Sequence, residues 1–422
     1  MEIQVWSSSD MLSEWIIDKT ILSDLENSNN DFAECSLEWR ILPESDASNP
    51  RTFHAVPDHI KDILYLDAPD LIVEVDGDPI FSVEISTEAG TGHNTFQRFG
   101  RLMAAIENQV PAFYIYPIGV FVRRRKREGW DLLNPNIYKA MEKAMQIHQV
   151  PALLFQFPTC YPEHPSDCVG VNSKGIFENQ SYPGCPYEDE EIEIFFEILN
   201  DILNKEIYSR SNSSEKTLLL SSVQEWREKM QNRRVARERE MGSPPYSPIT
   251  ATIEVPTHTL LTYLKQFTSN SYSFKGKLLK RRDTTVIYEV RAKYRHDPYP
   301  GALAGIDYLL TRTGKTYEDR DKNLAISFGT VNYDQQNEIL EIEPRSSRGS
   351  EVNIEQFTSK INNVADKFIL DKRYADLDDY EIPRFYMQAR HGTSYTLTKA
   401  ERMYTYFADA VLFGDGAVWR EG

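Results

Sequence analysis

The chain has 422 residues, 41% hydrophobic and 26% charged, with 23 Tyr, 20 Phe and 6 Trp. That is apolar mass for two or three domain cores, and it excludes global disorder. A net charge of −17 restricts any nucleic-acid contact to local basic patches, and four cysteines exclude a disulfide-stapled secreted scaffold.

No run of eighteen apolar residues occurs, and the opening MEIQVWSSSDMLSEW lacks a basic stretch followed by an apolar one. Neither a membrane-spanning helix nor a secretory leader is therefore expected, and a cytoplasmic protein fits best. Residues 11–27 carry the apolar spacing of an amphipathic helix, 32–42 read as a strand, and 43–59 read as a polar loop. From Leu71, LIVEV, the turn DGDP and IFSVEIS predict a β-hairpin. The helix predicted over 94–108 has Asn94 or Thr95 as N-cap and Phe96, Phe99, Met103 and Ile106 on its apolar face, with Gln97, Arg98 and Arg101 opposite or beside it. A strand at PAFYIYP, a helix at 136–148 and a strand at PALLFQF complete the pattern of a mixed sheet flanked by helices, so the expected fold class is mixed α/β.

Two basic tracts stand out, Arg123-Arg124-Arg125-Lys126-Arg127 and the stretch Arg227 to Arg239; each is either a solvated face or a phosphate contact. Helices are expected over 188–207 and 215–241, and MGSPPYSP (241–248) reads as a linker. The organisation expected is a domain over 1–206, a charged helix and Pro-rich linker over 207–248, and an α+β domain over 249–422 with strands at TTVIYEVRA, LAISFGTV and ILEIE and helices at GIDYLLTR, NIEQFTSKINNVADKFI and KAERMYTYFADAVL. Cys160, His164, Cys168 and Cys185 have the spacing C-x3-H-x3-C-x16-C, without the C-x2-C knuckle of closed zinc sites, so unliganded thiols are expected rather than zinc. Gly314-Lys315-Thr316 resembles the tail of a phosphate-binding loop, but Leu309 stands where the hinge glycine is required, and the ATPase reading is set aside. Arg291, Lys293, Arg295, His296, Arg312, Lys315 and Arg320 make that segment basic enough either to track phosphates or to form a solvated face.

The informative window is PDLIVEVDGDPIFSVEIS, Pro69 to Ser86. Alternation puts Glu84 and Ser86 on one face of the second strand and Phe81, Val83 and Ile85 on the other, so a carboxylate interrupts a buried-looking strand. Buried charge is costly unless it is paired or bound to a metal. A turn centred on Gly77 places Asp70 opposite Glu84, near enough for the two carboxylates to share one hard divalent cation. A structural ion pair between Glu84 and Arg98 is the plain alternative.

Pro69-Asp70 on one hairpin strand and Glu84-Ile85-Ser86 on the next resemble the PD-(D/E)xK nuclease superfamily, the fold of many restriction endonucleases, over about residues 60–157. Ser86 stands where the family has lysine, and a hydroxyl supplies no positive charge; the resemblance then looks to Gln97, Arg98 or Arg101 for a replacement. It implies Asp70 and Glu84 as ligands of Mg²⁺ (or Mn²⁺), Asp70, Glu84, Ser86, Gln97 and Arg98 as catalytic residues, and His93, Arg101, Arg124 and Lys126 as contacts to nucleic acid. Glu34 or Glu38 could add a carboxylate, although surface roles suit them better. The implied function is endonucleolytic cleavage of double-stranded DNA, as in restriction, by a homodimer or higher homo-oligomer. The alternatives are a ligand- or partner-activated nuclease effector and a nuclease-like module that binds without cutting.

Overall fold

The computed structural model describes residues 1–27, 36–42, 56–64, 68–87, 91–124, 127–133, 135–178, 189–208, 217–241, 249–266, 282–290, 321–344, 386–389, 408–412, 414 and 417–420. The protein is mixed α/β and divides into two compact units, Met1–Pro244 and Pro245–Gly422. No helix among the described residues is long and apolar enough to cross a membrane.

The first unit opens with β1 (Glu2–Ser7), α1 (Asp10–Lys19), α2 (Leu22–Asn27), β2 (Ser36–Ile41) and α3 (Asp58–Leu64). The helix expected over 11–27 is thus two, broken where the Thr20 hydroxyl turns back onto the Ile16 carbonyl at 2.9 Å. The hairpin follows as β3 (Leu71–Val75) and β4 (Asp78–Ile85), then α4 (Thr91–Glu107), β5 (Ala112–Pro117), β6 (Gly119–Arg124), β7 (Arg127–Leu132), α5 (Asn136–His148) and β8 (Ala152–Phe157). Helices α6 (Glu190–Tyr208) and α7 (Ser221–Met241) end the unit.

Six of these strands form one sheet in the order β2-β1-β3-β4-β5-β8. Strand β1 is antiparallel to β3, β3 to β4, while β4, β5 and β8 run parallel. One sheet face is apolar: Phe81, Phe113 and Phe155 pack with Phe195 of α6, which in turn stacks on Trp15 of α1. Burial of such rings stabilises the unit by about 1.5–3 kcal/mol each. On α4, Phe99, Met103 and Ile106 are fully buried, as their spacing implies.

The edge strand β8 is closed by α6 and α7. The Trp226 indole N–H donates to the Leu154 carbonyl at 3.2 Å, and a Glu191 carboxylate oxygen accepts the Gln156 amide at 2.5 Å. These bonds satisfy backbone groups that an open edge would offer to another chain. Helix α7 therefore packs into the first unit instead of standing in a linker over 207–248. Its basic tract is also engaged: Arg227 meets Glu142 at 2.9 Å, Lys229 meets Glu190 at 2.6 Å, and Arg233 pairs with Glu191 while reaching Gln156 at 3.2 Å. These three side chains are engaged within the unit, and the side chains of Arg237 and Arg239 in the same tract lie outside the described residues.

In the second unit, β9 (Ile249–Pro256) leads into α8 (Thr257–Lys265), followed by β10 (Thr284–Val290), β11 (Asn323–Ser327), β12 (Gly329–Asp334), β13 (Ile339–Pro344), β14 (Tyr386–Ala389), β15 (Ala410–Leu412) and β16 (Ala417–Arg420). The sheet order is β14-β16-β15-β11-β10-β9, with β12 and β13 as a separate hairpin. Ala410–Leu412, expected within a helix, is a buried strand parallel to β11; a place beside that strand overrides the helical spacing of the preceding residues. The helices expected at GIDYLLTR and NIEQFTSKINNVADKFI, and the basic segment from Arg291 to Arg320, lie outside the described residues.

Candidate functional site

The site begins with the β3–β4 turn. Asp76 (φ 50°) and Gly77 (φ 85°) both adopt the left-handed conformation of a tight two-residue hairpin turn, and Gly77 takes it without steric cost. Next to this turn Val75 pairs with Asp78 and Glu74 with Pro79, one residue away from the register that a turn centred on Gly77 would set. A bulge between Val73 and Glu74 then shifts the pairing, and Val73–Phe81, Ile72–Ser82 and Leu71–Val83 follow in the expected register. A one-residue slip exchanges the faces of a strand. The bulge is what puts Asp70, just before β3, beside the end of β4 that carries Glu84.

Backbone contacts fix Asp70 there. Its carbonyl accepts the Ser8 amide at 3.1 Å and the Ser7 hydroxyl at 3.2 Å, tying it to the end of β1. Its Oδ2 accepts the Ile85 amide at 2.8 Å. Glu84 is fully buried and pairs in register with Tyr114 of β5, so both share the sheet face covered by α4. Ser86 lies on that face as well.

Two guanidiniums from α4 meet the carboxylates. Arg101 Nη1 lies 2.6 Å from both Glu84 oxygens and 3.7 Å from Asp70 Oδ1. Arg98 Nη1 donates to Glu84 Oε1 and to the Ile85 carbonyl at 3.0 Å, and stands 3.8 Å from Asp70 Oδ2. The side chains are 10% exposed for Arg101, 25% for Arg98 and 23% for Asp70, so the cluster opens to solvent on the Asp70–Arg98 side. Burial, followed by the like charge of Glu84, raises the Asp70 carboxyl to about 7, against the pull of the Ile85 amide and the two arginines.

Several expectations are corrected here. Arg98 and Arg101 do not flank the helix surface; they point into the sheet, and Arg101 is buried against Glu84 instead of lying free for nucleic acid. The Ser86 hydroxyl, expected in the lysine position, is buried and bonded to the Tyr114 hydroxyl at 2.8 Å. Helix α4 starts at Thr91, so His93 sits in its first turn rather than in a loop before it. The side chains of His93, Gln97 and Arg124, and all of Lys126, Glu34 and Cys185, lie outside the described residues. Glu38 is on the exposed strand β2, remote from the cluster in the sheet order and paired with Arg40 at 2.5 Å.

The first basic tract spans the tip of a hairpin that the sequence reading missed, β6–β7, whose tip residues 125 and 126 are among those not described. Its root is aromatic: Phe121 and Trp130 meet edge-to-face, and Trp130 packs on Tyr161 and donates to the Glu163 carbonyl at 3.1 Å. Arg123 projects from it, 58% exposed and 3.8 Å from Glu128. In the adjoining loop His164 Nδ1 accepts the Ser166 amide at 3.1 Å, and burial with the neighbouring Cys168 thiol pushes Cys160 up to about 12. Among the described residues no group of three or more His, Cys, Asp or Glu side chains is placed to hold a metal ion.

Around Arg98 Nη1, however, three oxygens converge: a carboxylate oxygen each from Asp70 and Glu84, and the Ile85 carbonyl. All are acceptors and none can donate when the acids are ionised, which is the donor set of a hard divalent cation completed by water. In donor chemistry the residues fit Mg²⁺ or Mn²⁺, and the point of convergence is held by a guanidinium nitrogen. Sequence reasoning missed the Ile85 carbonyl and Tyr114, because both depend on backbone placement and on the β4–β5 pairing, which no local pattern reveals.

No protein-family model matches the chain, and neither the comparison with curated proteins nor that with solved structures finds a match. The class that fold and site define is therefore stated from geometry: a mixed α/β protein with a buried carboxylate–arginine cluster at the open end of a hairpin.

Proposed function

We propose that the first unit is a nuclease-type module hydrolysing DNA phosphodiesters with Mg²⁺, or Mn²⁺ in its place. The observation that carries this reading is the convergence of the Asp70 and Glu84 carboxylates and the Ile85 carbonyl on one point. The resemblance of Pro69-Asp70 and Glu84-Ile85-Ser86 to PD-(D/E)xK nucleases supports it, as does the succession of hairpin, helix and parallel strand around them. Asp70, Glu84 and the Ile85 carbonyl would hold the cation. What such a cation supplies when bound is a more acidic water and charge screening on the phosphate.

The chain's own groups divide the remaining work. Arg101 Nη1 donates to both oxygens of Glu84 and fixes its rotamer. Arg101 also supplies, from α4, the positive charge that Ser86 cannot. Asp70 Oδ2 is committed to the Ile85 amide, so Oδ1 is the atom that carries the proton below about pH 7. Arg123, exposed on the β6–β7 hairpin, would meet a phosphate backbone outside the cluster. Binding there would weaken steeply with salt. Double-stranded DNA as substrate, and a dimer that cuts both strands, are part of the same proposal.

A second reading is favoured by one observation, the occupation of both Glu84 oxygens by guanidinium: a nuclease-like module that binds nucleic acid without cutting. Plasmid DNA incubated with the full chain and Mg²⁺ or Mn²⁺ separates the two. Cleavage lost on chelation and lost again in Glu84→Gln supports hydrolysis; DNA retention at low salt without cleavage under either ion overturns it in favour of the binding module.

A further inference from the structure

We propose that Arg98 is an internal stand-in for the divalent cation: its Nη1 closes the site in the resting protein and has to leave for the cation to enter. This rests on the metal-dependent reading above and adds a gate to it.

Position is the first support. One nitrogen donates to Glu84 Oε1 and to the Ile85 carbonyl at 3.0 Å, and faces Asp70 Oδ2 at 3.8 Å. A nitrogen with two hydrogens satisfies two of these oxygens and leaves the Asp70 carboxylate at long range. The same three oxygens drawn in to the 2.0–2.1 Å of Mg²⁺ coordination would leave no room for Nη1 among them.

Charge is the second. Among the described residues, the Asp70 and Glu84 carboxylates face the Arg98 and Arg101 guanidiniums, and the Ser86 and Tyr114 hydroxyls are bonded to each other nearby. A divalent cation added with both arginines in place would bring two more positive charges into a largely buried cluster. The departure of one arginine removes one of them.

Accessibility decides which arginine leaves. The Arg101 side chain is 10% exposed and sets one nitrogen, Nη1, against both oxygens of Glu84, whereas Arg98 is 25% exposed, on the solvent side, one turn nearer the start of α4. Once released, the Arg98 guanidinium remains at the mouth of the site. A phosphate diester is the anion whose geometry its planar fork matches. One side chain thus holds the site shut in the absence of ligand and grips the substrate phosphate once the cation is in.

The experiment measures Mn²⁺ binding to the full chain at pH 8.5 by the electron-spin resonance signal of free Mn²⁺. Parent, Arg98→Gln, Arg101→Gln and Glu84→Gln are compared. Arg98→Gln is expected to bind Mn²⁺ about tenfold tighter or more, the scale of losing one charge-assisted competitor. It should tighten more than Arg101→Gln, and Glu84→Gln should abolish binding. The same Arg98→Gln protein should cleave DNA more slowly despite its tighter cation, a split that a merely structural arginine would not produce. Equal or weaker Mn²⁺ binding by Arg98→Gln, with the parent binding normally, overturns the gate and leaves the metal-dependent reading standing. Absence of Mn²⁺ binding in both parent and Arg98→Gln removes that reading, and the gate with it. Should circular dichroism show Arg98→Gln unfolded, Arg98→Lys is the readout, with tightening of a few-fold expected and none overturning the proposal.

Discussion

Glu84 is fully buried between two arginines, and Glu84→Gln measures what the cluster is worth. The substitution keeps the side-chain volume and one acceptor oxygen but removes the negative charge between Arg98 and Arg101. Arg101, 10% exposed, cannot turn to solvent and keeps Asp70 as a counter-charge at 3.7 Å. Arg98, 25% exposed, can rehydrate in part. Breaking a buried ion pair from one side costs about 3–5 kcal/mol, and the remaining Asp70 with the mobile Arg98 place this case at the lower end, about 3 kcal/mol. For a unit of this size that corresponds to a fall in Tm of about 6–12 °C. Calorimetric or circular-dichroism melts at pH 8 read it directly. Combining Glu84→Gln with Arg101→Met should give a loss smaller than the sum of the single losses by at least about 1 kcal/mol, because the two side chains act as a pair. A melt within about 1 °C of the parent, or strict additivity, would refute the claim that Glu84 is held by buried guanidiniums.

Three further outcomes are expected. The Asp70 carboxyl titrates near 7 in the folded protein, above its ordinary 3.8, so its stabilising effect is complete below about pH 4 and is lost as pH rises through about 7. Urea unfolding should accordingly show a slope of up to about 1.4 kcal/mol per pH unit across that window, flattened in Asp70→Asn; equal slopes would contradict the raised value. Trp226→Ala removes a ring stacked 4.9 Å from Phe155 and the donor to Leu154, and should cost about 3–5 kcal/mol in the transition of the first unit; a loss under about 1 kcal/mol would mean that α7 does not close the β8 edge. At Gly175 (φ 82°) an added Cβ would meet the Trp130 ring at 2.3 Å. Gly175→Ala should therefore destabilise by about 2 kcal/mol or more and alter Trp130 emission, whereas an unchanged spectrum and melt would show that the β6–β7 hairpin is not seated on this loop.

Much of the first unit was legible because its elements carry strong local patterns. The 136–148 helix, the apolar strands around it and the alternation of Phe81, Val83 and Ile85 against Glu84 can be read residue by residue. Strand β1 was not, since MEIQVWS is short and its place between β2 and β3 is set by pairing with those strands. Helix α3 starts at the end of the stretch read as a polar loop, and its three buried residues, Ile60, Ile63 and Leu64, leave too short a period to recognise. In the site, the adjacency of Asp70 and Glu84 was anticipated from a turn one residue misplaced, and the bulge at Val73–Glu74 made up the difference. The Glu84–Arg98 ion pair is the alternative that the sequence itself offers, and the structure contains it; the inward aim of Arg101 is not legible, because arginine beside an apolar stripe reads as surface and only the buried carboxylate across the sheet gives it reason to turn in. The arginines of α7 were misread for the same reason, their partners Glu142 and Glu191 lying far away in sequence.

The most direct measurement is anomalous X-ray scattering from crystals of the protein soaked in Mn²⁺ at pH 8.5. A single peak bounded by Asp70, Glu84 and the Ile85 carbonyl, with the Arg98 side chain swung out toward solvent and Arg101 still on Glu84, is the predicted result. An empty map at that point, with Arg98 still in contact with Glu84 and Ile85 at saturating Mn²⁺, would contradict it and leave the cluster a structural ion pair.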